Sequence, residues 1–229
     1  MSVVVTRIDP YAQQVTAPAV PPARQARSRR TRRVLLDAGF GLLEEQGPEA
    51  LTITAVSARA GVAPGTVYRR FGDKDGLLSE LQQEFTTGFR EEFGQRMSNA
   101  ALPAEAPPRS AVDLAVRALA NTFRAHETLL RVFVILGIRD EAVLGTGTRA
   151  SHEGGRLFRD VLWPYRESFT TADPEHGIDV AHRLVYAACM HRVLHGSGME
   201  SPTPLTWEAL TDELSRAATL YLLGSLPVE

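Results

Sequence analysis

The chain has 229 residues, 44% of them apolar, and a formal net charge of −2. That length and apolar content allow one or two packed domains, and the overall charge carries no basic signal. A single cysteine, Cys189, excludes an intrachain disulfide and fits a reducing compartment, and no run of about 18 apolar residues is present to cross a membrane. The first residues show no charged-then-apolar leader pattern, so a cytoplasmic protein without membrane association is expected.

In chain order, residues 1–28 read as a disordered, Pro-rich and basic arm, with Pro18, Pro21 and Pro22 close together. Arg24, Arg27, Arg29, Arg30, Arg32 and Arg33 form a run without an acid just ahead of the first helix, whereas acids outnumber bases beyond residue 80. A basic end on an acidic body is the asymmetry of a chain whose one end meets a polyanion. The first helix buries Leu35, Ala38, Gly39, Leu42 and Leu43 and is ended by Gly47-Pro48.

Thr52 to Lys74 is the most informative stretch. Thr52 is a good N-cap, and Ile53, Val56 and Ala60 recur at helical spacing. Gly61 supplies a turn, Val62 plugs the angle, and Pro64 suits the first turn of a second helix. In that helix Val67 and Phe71 share an inner face, leaving Thr66, Tyr68 and Arg69 on other faces. This is the layout of a helix-turn-helix that reads the DNA major groove.

The same spacing predicts a long helix from Asp73 to about Met97, with Leu77, Leu81, Phe85, Phe89 and Phe93 four apart. Helices follow over 110–125 and 129–138, then a loop at Gly145 and Gly147 and a helix from about Thr148 that Trp163-Pro164 kinks or ends. A turn over 172–177 leads to an 18-residue helix, 178–195, apolar on two sides, and a last helix over about 205–223. The fold class is all-α, with about nine helices: a three-helix DNA-binding domain over 29–74 and a larger helical body over 75–229.

The segments LLDAGFGLLEEQG, LTITAVSARAGV, GTVYRRF and DKDGLL, within roughly residues 29–81, resemble the DNA-binding region of the tetracycline-repressor (TetR) family of bacterial transcriptional regulators. Arg70 departs from the pattern, since many members carry His or Tyr there. The resemblance implies docking on double-stranded operator DNA through Pro64, Gly65, Thr66, Tyr68, Arg69 and Arg70, with Thr52, Thr54 and Lys74 at helix starts and Arg29 and Arg30 on flanking phosphates. Either Arg69 or Arg70 is suited to guanine. It also implies a homodimer through the C-terminal helices, about 177–195 and 205–223, and a body that binds a small effector.

Phe89, Phe93, Phe123, Phe133, Phe158 and Trp163 supply aromatic surface for a largely apolar effector, with Phe169 as a further aromatic and Arg124, His126, Arg131 and His152 as polar anchors. His191 and His195 have a chelating spacing, but no third ligand is evident and no metal is assigned. No nucleophile elbow, phosphate loop or paired cysteines point to catalysis, and no cofactor is expected. The expected function is a ligand-responsive repressor released from a palindromic operator. An activator, a ligand-independent DNA-binding regulator and a non-DNA helical binding domain are the alternatives.

Overall fold

A computed structural model describes residues 22–99, 102–103 and 105–224. Among these residues the chain is all-helical, with nine α-helices and three short 3-10 turns. Three helices form the N-terminal head: α1 (Pro22–Gln46), α2 (Ile53–Ala60) and α3 (Pro64–Phe71). The connecting helix α4 (Lys74–Asn99) has 26 residues, so it spans about 39 Å. The body is built from α5 (Pro108–Ala125), α6 (Glu127–Gly137), α7 (Glu141–Leu162), α8 (Pro174–His195) and α9 (Trp207–Leu223).

Helix starts follow from local chemistry. Asp73 accepts from the Gly76 N–H at 2.8 Å and so caps α4. Asp140 caps α7 through the N–H groups of Ala142 and Val143, Asp173 caps α8, and Thr206 caps α9 through the Ala209 N–H. Pro164 cannot continue a helix, and α7 gives way at Trp163 to a 3-10 segment over Trp163–Ser168.

Two expected boundaries need correction. The arm expected over 1–28 lies outside the described residues as far as residue 21, but from Pro22 the chain is already helical. Proline fits a first helical turn, and the arginines that follow are good helix formers, so the basic run extends α1 instead of preceding it. The loop expected at Gly145 and Gly147 is the interior of α7, and the helix begins at Glu141 rather than near Thr148. Each glycine costs the helix about 1 kcal/mol in propensity, which the Asp140 cap and packing of α7 against α4, α5, α6 and α8 offset.

Two apolar cores share α4. The first holds Leu35, Leu42 and Leu43 of α1, Val56 of α2, Val67 and Phe71 of α3, and Leu77, Leu81 and Phe85 of α4. It does not stop at residue 74: Leu129, Val132 and Phe133 of α6 and Val143 of α7 belong to it. The second holds Phe93 and Met97 of α4 with the inner faces of α5 and α8, Phe158 and Leu162 of α7, and Ala218 and Leu222 of α9. Phe89 packs against both cores.

Two buried polar contacts fasten the layers. Gln82 of α4 donates from Nε2 to the Val143 carbonyl at 2.7 Å, where α7 begins. Arg192 of α8 is buried with its guanidinium on Glu200 and 5.3 Å over the Trp207 ring, so it ties α8 to the start of α9. An arginine this deeply buried needs such a partner, because an unpaired charge there would be severely penalised.

Candidate nucleic-acid interface and ligand cavity

The reading head is set by backbone geometry between α2 and α3. The Thr52 hydroxyl accepts from the Ala55 N–H at 3.1 Å and fixes the start of α2. Gly61 ends α2 with φ 65°, a left-handed conformation that is costly for a residue with a Cβ. Val62 packs against the head core, and Pro64 opens α3. Val67 and Phe71 are then buried, which turns the opposite side of α3 to solvent.

On that side Tyr68 is 54% exposed although it is a large aromatic side chain. Pro64, Gly65 and Arg69 are exposed beside it, and Thr66 and Arg70 are half-buried. Thr52 and Thr54 are exposed at the start of α2, and Lys74 is exposed at the start of α4. Arg29 and Arg30 are exposed on α1.

The face is wider than the sequence reading. Arg27, Ser28 and Thr31 of α1 line a cleft with Thr66, Arg69 and Arg70 of α3. Arg70 donates to the Ser28 hydroxyl at 2.8 Å, which fixes α1 against α3. Among the described residues no acid lies within 4.0 Å of Arg27, Arg29, Arg30, Arg33, Arg69 or Arg70, so their charge is available to an anion. The signal for Arg27 and Thr31 was their spacing of four, which is a helix face once the run is known to be helical. Arg32 has a different role: it bridges to Glu80 at 2.8 Å and Glu84 at 3.1 Å and joins α1 to α4. Arg59 is similarly committed, gripping Glu45 with a 2.7 Å contact that holds this carboxyl below the usual carboxylate range.

The body contains a cavity of about 340 Å³ lined from α4 by Gln82, Phe85, Thr86, Phe89, Arg90 and Phe93. Leu119 and Phe123 of α5, Phe133 of α6, Val143, Ser151 and His152 of α7, and His182, Tyr186 and Met190 of α8 complete much of its wall. The aromatic rings support one another: Phe85 and Phe133 lie 5.0 Å apart, Phe89 and Phe123 meet edge-on at 5.5 Å, and Phe123 and Tyr186 at 5.3 Å.

The structure brings Phe89, Phe93, Phe123 and Phe133 of the expected aromatic set to this wall. It does not bring Phe158 or Trp163 there. Phe158 faces the second core and supports His182 from behind at 5.3 Å. Trp163 is 40% exposed, because α7 has ended and the ring lies beneath Arg166. Phe169 is buried in the second core. Of the expected polar anchors only His152 lines the cavity. Arg124 pairs with Glu208, Arg131 with Glu127 and the Val193 carbonyl, and His126 with Glu92 at 2.7 Å.

His182 was not foreseen. It is 9% exposed, its Nε2 has no hydrogen-bond partner among the described residues, and burial pushes its pKa down, with Asp179 opposing and Arg183 adding to that effect. Cys189 is fully buried, and burial pushes its thiol up to about 12, which leaves it unreactive. His191 and His195 lie with tilted rings 4.8 Å apart on the exposed side of α8.

Residues 35–81 match the N-terminal segment described as bacterial regulatory proteins, tetR family. The segment over residues 35–81 is of the tetR type. Over 72 residues the chain is 36% identical to the HTH-type transcriptional regulator BetI of Klebsiella pneumoniae. That match covers 31% of this chain and 36% of the relative, so it spans little more than a third of the curated relatives' length. The body is similar to solved structures in fold. A TetR transcription regulator from Haloarcula marismortui superposes with a TM-score of 0.65 at 16% identity, covering 87% of this chain and 100% of that one. The fatty acid degradation regulator FadR from Bacillus halodurans superposes with a TM-score of 0.59 at 20% identity, over 87% and 97% of the two chains. No described helix is long and apolar enough to cross a membrane.

Proposed function

We infer that this protein is a DNA-binding transcriptional regulator that acts as a homodimeric repressor and leaves a palindromic operator when a small, largely apolar effector fills the body cavity. The observation that carries the DNA-binding reading is Tyr68. A large aromatic stands exposed between buried Val67 and a group of arginines that have no acidic partner among the described residues. An exposed phenol hydroxyl beside guanidinium groups is suited to contacting phosphate oxygens. Arginines at a helix start and across a short cleft fit the phosphates on either side of a groove, with Arg69 or Arg70 on a guanine edge.

The dimer reading rests on α8 and α9, which pack together and each keep an uncovered apolar face. Leu184 is 55% exposed, Leu220 43% and Tyr221 37%. Two such helices from each of two copies would make a four-helix interface and place two heads on one duplex, with centres about 34 Å apart or a multiple of it.

Effector response would run through Phe85 and Phe133. Both line the cavity, and both belong to the core of the reading head. A molecule wedged against them acts on α4 and α6, which hold α1 in place through Leu129, Val132 and the Arg32 bridges. It releases DNA by the difference in its affinity for the two arrangements, and by no more than that. A gel-shift titration with the DNA flanking the protein's own gene tests this function. A discrete complex is expected at concentrations that leave unrelated duplex unbound; equal binding to both, or none, would contradict it.

A further inference from the structure

His182 stands at a junction of two chambers. The aromatic cavity lies on one side, and a wider, more open and more polar depression of about 820 Å³ on the other. Ser151, His152, His182 and Tyr186 line both. Of these, His182 is the deepest, and its Nε2 lacks a partner among the described residues, an arrangement that costs stability unless something else supplies the hydrogen bond.

The ring is seated by a glycine. A Cβ at Gly155 of α7 would lie 3.3 Å from the His182 Cε1 and 3.4 Å from its Nδ1, so an added methyl would press the imidazole by a few tenths of an ångström. Phe158 and Tyr186 hold the other sides, with ring centres 5.3 and 5.7 Å away.

We propose that the cavity takes a compact, uncharged, mainly apolar molecule bearing one hydroxyl group, and that this hydroxyl is seated against the imidazole of His182 where the two chambers meet. The proposal rests on the effector reading above and names the chemistry of that effector. A hydroxyl both donates and accepts, so it satisfies the ring nitrogen in either tautomer. The wall excludes net charge. Its one permanent charge among the described lining residues, Arg90, is taken by Glu153 at 2.8 Å. Beyond the cavity Arg159 is held by Asp160 and Glu175 and Arg183 by Asp179, while Arg156 meets Glu153 at 4.0 Å and does not line the aromatic cavity. The imidazole itself is kept neutral by burial. A carboxylate or ammonium beside it would lose its water and gain no opposite charge.

Three naphthalene probes of one shape test this: 2-naphthol, 2-methylnaphthalene and 2-naphthoate, titrated calorimetrically into the full-length protein. The naphthol is expected to bind about tenfold tighter than either of the others. His182→Phe, which keeps a flat ring, should reduce its advantage over the hydrocarbon to about twofold or less while the hydrocarbon still binds. Gly155→Ala, which pushes on the ring without removing it, should weaken naphthol more than the hydrocarbon and supplies the reading if His182→Phe does not fold. Tightest binding of naphthoate, equal binding of naphthol and hydrocarbon, or an advantage unchanged in a folded variant would overturn the proposal and leave the effector reading standing. Failure of all three probes to bind would overturn the effector reading itself.

Discussion

Tyr68 contributes almost nothing to the fold around it, because its ring lies outside the core that Val67 and Phe71 enter. Tyr68→Ala should therefore leave the thermal midpoint within the change expected of about 0.5 kcal/mol, while specific DNA affinity falls at least tenfold in an anisotropy titration. His182 behaves in the opposite way. Its folded pKa lies below the ordinary histidine value near 6.5, so the unfolded chain binds the extra proton first. The stability it contributes is complete above that value and is lost as pH falls through it toward the depressed folded pKa. Denaturant midpoints measured between about pH 7.5 and 5 should fall, and His182→Phe should flatten part of that fall; identical slopes would show that His182 does not titrate differently in the two states. Tyr68 was legible from spacing alone, since Val67 and Phe71 fix the inner face of an eight-residue helix. His182 was not, because its burial depends on α7 lying against α8, a contact no local pattern encodes.

At the level of helices, caps and apolar periods made most of the chain readable. Thr52, Gly61, Pro64 and Asp73 act at the boundaries where their chemistry places them. Thr52→Ala should cost about 1 kcal/mol in chemical denaturation, since the Ala55 N–H loses its acceptor; no loss would mean that solvent caps α2 equally well. The start of α7 is hidden in the sequence because two glycines are a loop signal in isolation, and only packing against four other helices overrides them. Four aromatic members of the cavity wall were visible in the spacing of α4, α5 and α6, whereas Trp163 was misplaced because Pro164 ends α7 before the ring can turn inward. The basic run illustrates a related point. As a helix it separates Arg32, which holds α4, from Arg29 and Arg30, which are exposed. Replacing Arg29 and Arg30 together by Ala should reduce the salt dependence of DNA binding by up to about 2 in log–log slope, with stability unchanged. An unchanged slope would mean that neither contacts a phosphate.

In the whole molecule, the head and the body are not separate structures joined by a lever. The core of the head runs into α6 and the first turn of α7, and Phe85 and Phe133 serve both that core and the cavity. Deforming the cavity therefore bears directly on the packing that orients α1 and, through it, α3. The same continuity explains why a division near residue 74 looked natural in the sequence: Gly72 and the Asp73 cap mark a break in the helix, while the core across it depends on contacts between residues more than fifty positions apart. The central claim, that two copies read one duplex through the exposed face of α3, is tested most directly by hydroxyl-radical footprinting on the DNA flanking the protein's own gene. The account predicts two protected patches with centres about 34 Å, or a multiple of it, apart, related by a two-fold axis and both lost with Tyr68→Ala. A single patch, or paired patches that persist in that variant, would contradict it.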